Sequence, residues 1–268
     1  MFAYDFMINA FAASAVVAVL SALVGYFLVL RGQSFAGHAL SHVGFTGATG
    51  AILIGVAPLW GLLAATVCAG LGMALLGERL SGRDVAIGMV LAVSLGLGLL
   101  FLHFFTAYAT QATALLFGNV LGVDRRILVT LAVLSLACIV ALLLMGRPLL
   151  FASLQPELAE ARGVDLRLVS VAFLVLVAVA TAECAQIVGV LLVFTLMVGP
   201  AASAQLVTRS PAAGLPLGVL LALCEACLGV AGSWWTDWPV SFWISALSGL
   251  VYLSALAVAA LGRPQKLA

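Results

Sequence analysis

Apolar runs of about 20 residues, each closed by a short polar or glycine-bearing break, follow one another along the whole chain. A helix needs about 20 such residues to cross roughly 30 Å of hydrocarbon. Nine segments qualify: Phe11–Leu30, His38–Val56, Leu59–Leu76, Val85–Phe105, Ile127–Met145, Leu166–Ala180, Ala185–Val207, Ala213–Gly232 and Val240–Leu261. The pattern predicts an all-α polytopic membrane protein with about nine transmembrane helices, organised as a single transmembrane domain over residues 1–268. Between the fourth and fifth runs, A-L-L-F-G-N-V-L-G in Thr106–Asp124 is apolar but short, and a re-entrant or interfacial helix is expected there.

The polar positions set the orientation, because basic loops stay in the cytoplasm. With the N-terminus outside, the inner boundaries hold Arg31, Arg79, Arg83, Arg147, Arg162, Arg167, Arg209, Arg263 and Lys266, and the outer side holds only Arg125 and Arg126. All five tryptophans, Trp60, Trp234, Trp235, Trp238 and Trp243, then fall at outer boundaries, where amphipathic rings meet lipid headgroups. A tenth span at Thr106–Asp124 would invert every later loop and expel four arginines.

Two interruptions carry structure of their own. In R-P-L-L-F-A-S-L-Q-P-E-L-A-E-A-R-G-V-D-L-R, Pro156 suits a first helical position, Glu157 and Glu160 the early turns, Arg162 the end, and Gly163 the left-handed residue that stops a helix. A short cytoplasmic helix is expected, a plain solvated connector being the other reading. Gly199-Pro200 falls inside the seventh run, where proline removes an amide and crowds the Leu196 carbonyl, so a kink or break is expected there, either as the wall of a path or as one of the prolines that spans carry without a role.

Composition sharpens the class. Hydrophobic residues make up 65% of the chain and charged residues 8%, with a mean hydropathy of +1.28, whereas a soluble domain is about 25% charged. The net charge of +1 and the scattered basic residues offer nothing to nucleic acid. The first run is read as a retained span, without a signal peptide. Cys68, Cys138, Cys184, Cys224 and Cys227 all lie in apolar runs and read as small packing residues. No G-x-x-x-x-G-K-[ST] loop occurs, so any ATP is used by a partner.

Ionisable residues inside hydrocarbon are costly and therefore read as functional. His38 and His42, one turn apart on one helix face, lie near the midplane, His42 roughly 16 Å of rise beyond Arg31. Neutral imidazoles at this spacing can offer two nitrogens to one divalent ion, which then needs ligands from other helices; a hydrogen-bonded structural pair is the alternative. Glu225, midway through the eighth run, is the best further ligand or proton acceptor. Glu183 and His103 are secondary candidates near outer boundaries, where Glu183 is expected to reach the headgroups. Cys224-Glu225-Ala226-Cys227 is formally C-x-x-C, but with no second pair it is weak as a zinc motif.

L-V-L-R-G-Q-S-F-A-G-H-A-L-S-H at Leu28–His42, D-V-A-I-G-M-V at Asp84–Val90, L-L-F-G-N-V-L at Leu115–Leu121 and V-G-V-L-L-V-F-T-L-M-V-G-P-A-A-S-A at Val188–Ala204 resemble the membrane permease of bacterial ATP-binding-cassette importers for zinc and manganese. Q-P-E-L-A-E-A-R-G-V and W-T-D-W-P-V-S extend the likeness over nearly the whole chain. The resemblance implies a type II ABC importer-like fold in the bacterial inner membrane and a homodimer of permeases surrounded by lipid. It also implies a P-loop ATPase subunit that holds the ATP and a periplasmic metal-binding protein. Gln155, Pro156, Glu157, Leu158, Ala159, Glu160, Ala161, Arg162 and Gly163 would form the coupling helix, Gly199 and Pro200 a hinge, and the cargo would be a divalent metal with no permanently bound cofactor. The family pattern is G-D-A-L-x-H, and this chain has His38 in place of the aspartate. A nitrogen ligand for an oxygen one favours zinc over manganese.

Other functions fit less well. An importer of a metal chelate such as a siderophore needs a wider path. A proton-coupled transporter using Glu183 and Glu225 needs no ATPase. An intramembrane metalloprotease needs H-E-x-x-H, where this chain has H-A-L-S-H.

Overall fold

The structure is a computed structural model that describes residues 4–76, 83–104, 115–208 and 210–261. Its helices are, in order, α1 (Asp5–Leu30), α2 (Ser34–Leu53), α3 (Pro58–Leu76), α4 (Arg83–His103), α5 (Arg125–Leu154), α6 (Pro156–Ala161), α7 (Leu166–Val188), α8 (Val193–Val207), α9 (Pro211–Thr236) and α10 (Val240–Leu261), with no strand among the described residues. Seven helical stretches are long and apolar enough to cross a membrane. The two long helices outside that set are α4, whose apolar part is Ile87–His103, and α2, whose histidines, glycines and hydroxyls lower its hydropathy. Of the seven, α1 and α7 are the most buried and α5 and α10 the most exposed.

Lipid tails are as apolar as leucine, so hydrophobicity does not press one spanning helix on another; close backbone approach at small residues does. A Cβ on Gly47 of α2 would strike the Gly61 carbonyl of α3 and Ala65, and one on Gly61 would strike the Gly47 carbonyl and Ala51. The pattern small-x-x-x-small is thus written on both helices. Gly25 of α1 sits against the Met197 carbonyl of α8 in the same way, and Gly98 of α4 leaves room for the Phe45 ring of α2. The Thr46 hydroxyl of α2 also donates to the Ser94 carbonyl of α4. These contacts fix α2, the helix that carries both histidines.

Three boundaries differ from the sequence expectation. The fifth run does not end at Met145: α5 continues through Pro148 to Leu154, leaving Gln155 as its only link to α6. Proline costs one hydrogen bond, and here the helix absorbs it. The sixth run extends past Ala180 to Val188, so the seventh cannot begin at Ala185. The break lies at Gly189 (φ 84°, ψ 155°), followed by a 3-10 turn over Val190–Leu192. Gly199-Pro200, expected as the interruption, is instead inside an unbroken α8. The Ser203 hydroxyl caps the Gly199 carbonyl at 2.8 Å there, and Ser248 of α10 donates to Thr195 at 3.1 Å.

The Gly189 break has a partner. Gly118 (φ 76°) lies against it so closely that a Cβ on either glycine would collide with backbone of the other segment. Asn119 then accepts from the Gly122 amide at 3.1 Å to close a 3-10 turn, and Asp124 caps α5 by accepting from Ile127 at 2.7 Å. Of the expected re-entrant element, residues 106–114 lie outside the described residues. Residues expected on opposite sides of the membrane lie at opposite ends of the bundle. Tyr4 meets Trp234 at one end, their ring centroids 5.8 Å apart, and Arg31 meets Ser153 and Ser170 at the other. Arg79, Arg209, Arg263 and Lys266 lie outside the described residues.

The short helix forms where its residues direct. Pro156 opens it, Glu157 is in its first turn, and Gly163 takes φ 83° just beyond the Arg162 cap. The Gly163 amide donates to Glu160 at 2.9 Å and Val164 to Ala159 at 3.0 Å, the paired bonds of a glycine-terminated helix. Ala159 is buried against the bundle, while Glu157, Leu158, Glu160 and Arg162 face outward.

Candidate metal-pathway site

α2 begins at Ser34, so His38 and His42 occupy successive turns, and their rings meet edge to face with centroids 4.8 Å apart. Gly37, next to His38, allows the approach of Leu28 and the Met197 sulfur, seating this part of α2 on α1 and α8. The His38 ring also meets Phe194 of α8 edge-on at 5.8 Å and Phe35 at 6.4 Å. His42 is 9% exposed and its Nδ1 has no hydrogen-bond partner, whereas His38 is half-buried. A buried imidazole nitrogen with nothing to bond is an unspent donor atom, which a structural hydrogen-bonded pair would not leave. Phe194 also lines a cavity of about 390 Å³ between α8 and α10, bordered by Thr195, Val198, Gly199, Ser248 and Tyr252. His38 therefore touches a residue that lines this opening, while His42 lies one turn further into the buried part of α2.

The other predicted residues do not join it. Among the described residues no three His, Cys, Asp or Glu side chains form a group that could hold a metal. Glu225 is 1% exposed on α9 with neither oxygen hydrogen-bonded. The Ser248 hydroxyl comes close to it but donates to Thr195 instead. Cys224 is exposed, on a different side of α9 from Glu225, so the C-x-x-C does not converge with the carboxylate. His103 is exposed in the last turn of α4, against Phe104.

Glu183 does not reach a headgroup region. It is fully buried on α7, where one oxygen accepts from the Ser135 hydroxyl of α5 and the other has no partner. The sequence showed that the carboxylate is costly but not toward which neighbour it turns. Glu183→Gln keeps a carbonyl acceptor for Ser135 and replaces the other carboxyl oxygen with an uncharged amide nitrogen. Metal uptake by this variant is expected to stay within about twofold of the parent, with stability changed by about 1 kcal/mol; transport assay and thermal unfolding of the purified protein check both.

Sequence reasoning did not single out Phe194, because an aromatic in an apolar run is indistinguishable from packing until the helices are assembled. The Gly118–Gly189 contact was equally hidden. Its signal was present only as two glycines inside otherwise apolar motifs.

The bundle of long apolar helices defines a multi-pass membrane protein. The profile of the ABC 3 transport family matches residues 3–259, and the chain belongs to that family. It is 26% identical over 231 residues to the manganese transport system membrane protein MntC of Halalkalibacterium halodurans, covering 86% of this chain and 79% of the relative. It is 29% identical over 257 residues to a probable iron transport system membrane protein of Haemophilus influenzae, covering 95% and 94%. Among solved structures, PsaBC from Streptococcus pneumoniae in complex with Fab superposes with a TM-score of 0.85 at 24% identity, over 94% of this chain and 91% of that one. The chain is accordingly a permease of a metal ABC importer, with the fold expected from its sequence.

Proposed function

We propose that this permease carries a divalent metal, zinc in preference to manganese, along a path that two copies of the chain form together. The observation that carries the reading is the pair of imidazoles on α2, 4.8 Å apart between ring centroids, with a bare buried nitrogen on His42. Zinc takes about four ligands in tetrahedral sites. One copy supplies two, no third is at hand among the described residues, and half-buried His38 touches Phe194, which lines the α8–α10 cavity. A second copy, related by a two-fold axis near that cavity, completes the set with its own pair.

Nitrogen donors suit zinc, and carboxylate oxygens suit manganese better. Relatives named for manganese and iron therefore bear on the class of cargo, whereas His38 bears on its identity. The metal arrives from a periplasmic binding protein, and ATP is hydrolysed by a P-loop subunit bound at α6, whose outward Glu157, Leu158, Glu160 and Arg162 are available to a partner. Uptake by the reconstituted complex, measured in parallel for zinc, manganese and iron(II), tests the assignment. The parent is expected to prefer zinc, and His38→Asp to shift the zinc-to-manganese ratio toward manganese by about tenfold or more. A parent that prefers manganese, with no change on substitution, overturns the zinc assignment.

A further inference from the structure

Arg31 closes α1, and its side chain reaches the two helices that flank α6. One terminal nitrogen donates to Ser170 in the second turn of α7 at 2.8 Å, and the other to Ser153 in the last turn of α5 at 3.5 Å. The guanidinium carbon lies 5.6 Å from the centroid of the buried Phe173 ring, also on α7. Ser153 precedes α6 by three residues and Ser170 lies in the second turn of the helix that follows it, so the two serines stand on the segments through which α6 joins the bundle. On its other side Arg31 is tied to the metal pair through a short turn closed by backbone hydrogen bonds. Gly32 (φ 63°) donates to Val29 at 3.0 Å, Gln33 donates to Leu28 at 2.9 Å, and α2 starts one residue later. Such a turn has no slack, and His38 follows one helical turn beyond the start.

We propose that Arg31 is the positioning residue through which movement of α6 reaches His38 and His42. Arg31 holds α5, α7 and the α1–α2 turn as one unit, so a pull on α6 tilts the N-terminal half of α2 and moves the two imidazoles together relative to Phe194 on α8. The guanidinium suits this task because its planar fork spans two acceptors on different helices while stacking on an aromatic ring. Coupling of this kind needs a contiguous physical connection between the sites, and the chain from Ser153 and Ser170 to His38 is contiguous. The proposal rests on α6 being the ATPase contact and on the histidine pair being the metal site.

The test uses the complete importer in proteoliposomes, comparing the parent with Arg31→Ala, a Ser153→Ala/Ser170→Ala double variant and His42→Ala. For each, ATP hydrolysis, zinc uptake and ATP-free zinc binding are measured. Arg31→Ala is expected to hydrolyse ATP within about twofold of the parent and to bind zinc equally, while uptake per ATP falls at least about tenfold. A residue that merely stabilised the fold would lower all three together. The serine double variant, which keeps Arg31, is expected to lose uptake per ATP in the same direction, and it serves as the test if Arg31→Ala does not assemble. Unchanged uptake per ATP in both, with His42→Ala inactive, overturns the role of Arg31 and leaves the metal site standing. Unchanged uptake in His42→Ala instead removes the reading on which it rests.

Discussion

Replacing His42 with alanine is expected to reduce metal uptake by more than about 100-fold while leaving a folded, membrane-inserted permease. Loss of residues that only support metal ligands typically costs about 10- to 100-fold in affinity, and loss of a ligand should exceed that. The fold should survive because His42 Nδ1 bonds to nothing in the protein, so the substitution orphans no buried partner at that atom. Its neighbours on α2 are held independently, by the Gly47–Gly61 approach and by Thr46 on Ser94. The remaining cost is the small void left by the imidazole. Uptake in cells at matched expression, with elution of the purified protein as a check on folding, measures the effect. His42→Gln makes a useful companion, since it keeps volume and polarity but not an imidazole. Normal uptake in both variants would exclude the pair from the pathway.

The residues on which this prediction stands are legible in the amino-acid sequence itself. Histidines placed a turn apart in an apolar run must share a face, and the rings do meet. The helix over Pro156–Ala161 is equally legible, because proline, the early glutamates and Gly163 each act through local backbone geometry. What the sequence could not convey was which neighbour a buried polar group turns to. Glu183 and Glu225 look alike as lone carboxylates at depth, yet one is bonded to Ser135 and the other lies near a serine committed elsewhere. Arg31 reads as a charge at a membrane boundary, and its second meaning depends on α5 and α7 more than a hundred residues away. The helix break was misplaced for a related reason. Proline announces a lost hydrogen bond, but a single lost bond is absorbed by the surrounding helix, as at Pro148 and Pro200. Gly189, inside an apolar motif with no cap signal around it, announces nothing until its φ is known.

That glycine supports the second large expected effect. Gly189→Ala should prevent accumulation of a stable permease. At φ 84° and ψ 155° the backbone lies in a region that essentially only glycine occupies, and a side chain there costs about 1–3 kcal/mol by conformation alone. The added Cβ would also strike the Leu116 carbonyl, the Gly118 nitrogen and the Phe117 carbonyl carbon, all backbone atoms that cannot rotate aside as a side chain could. Overpacking of this kind adds roughly 1–3 kcal/mol. Together the two terms approach the whole stability of a typical domain at its lower end, about 5 kcal/mol. Gly32→Ala supplies the control. It shares a positive φ of 63°, but a Cβ there meets nothing within 4 Å, so it should cost only about 1–2 kcal/mol. The measurement is yield and thermal unfolding of the two variants side by side. Equal loss in both would mean that conformation alone matters and that the Gly118–Gly189 contact contributes nothing. A much larger loss at Gly189 would establish the contact between the two motifs, and with it the fixed position of α8, on which Phe194 stands beside His38.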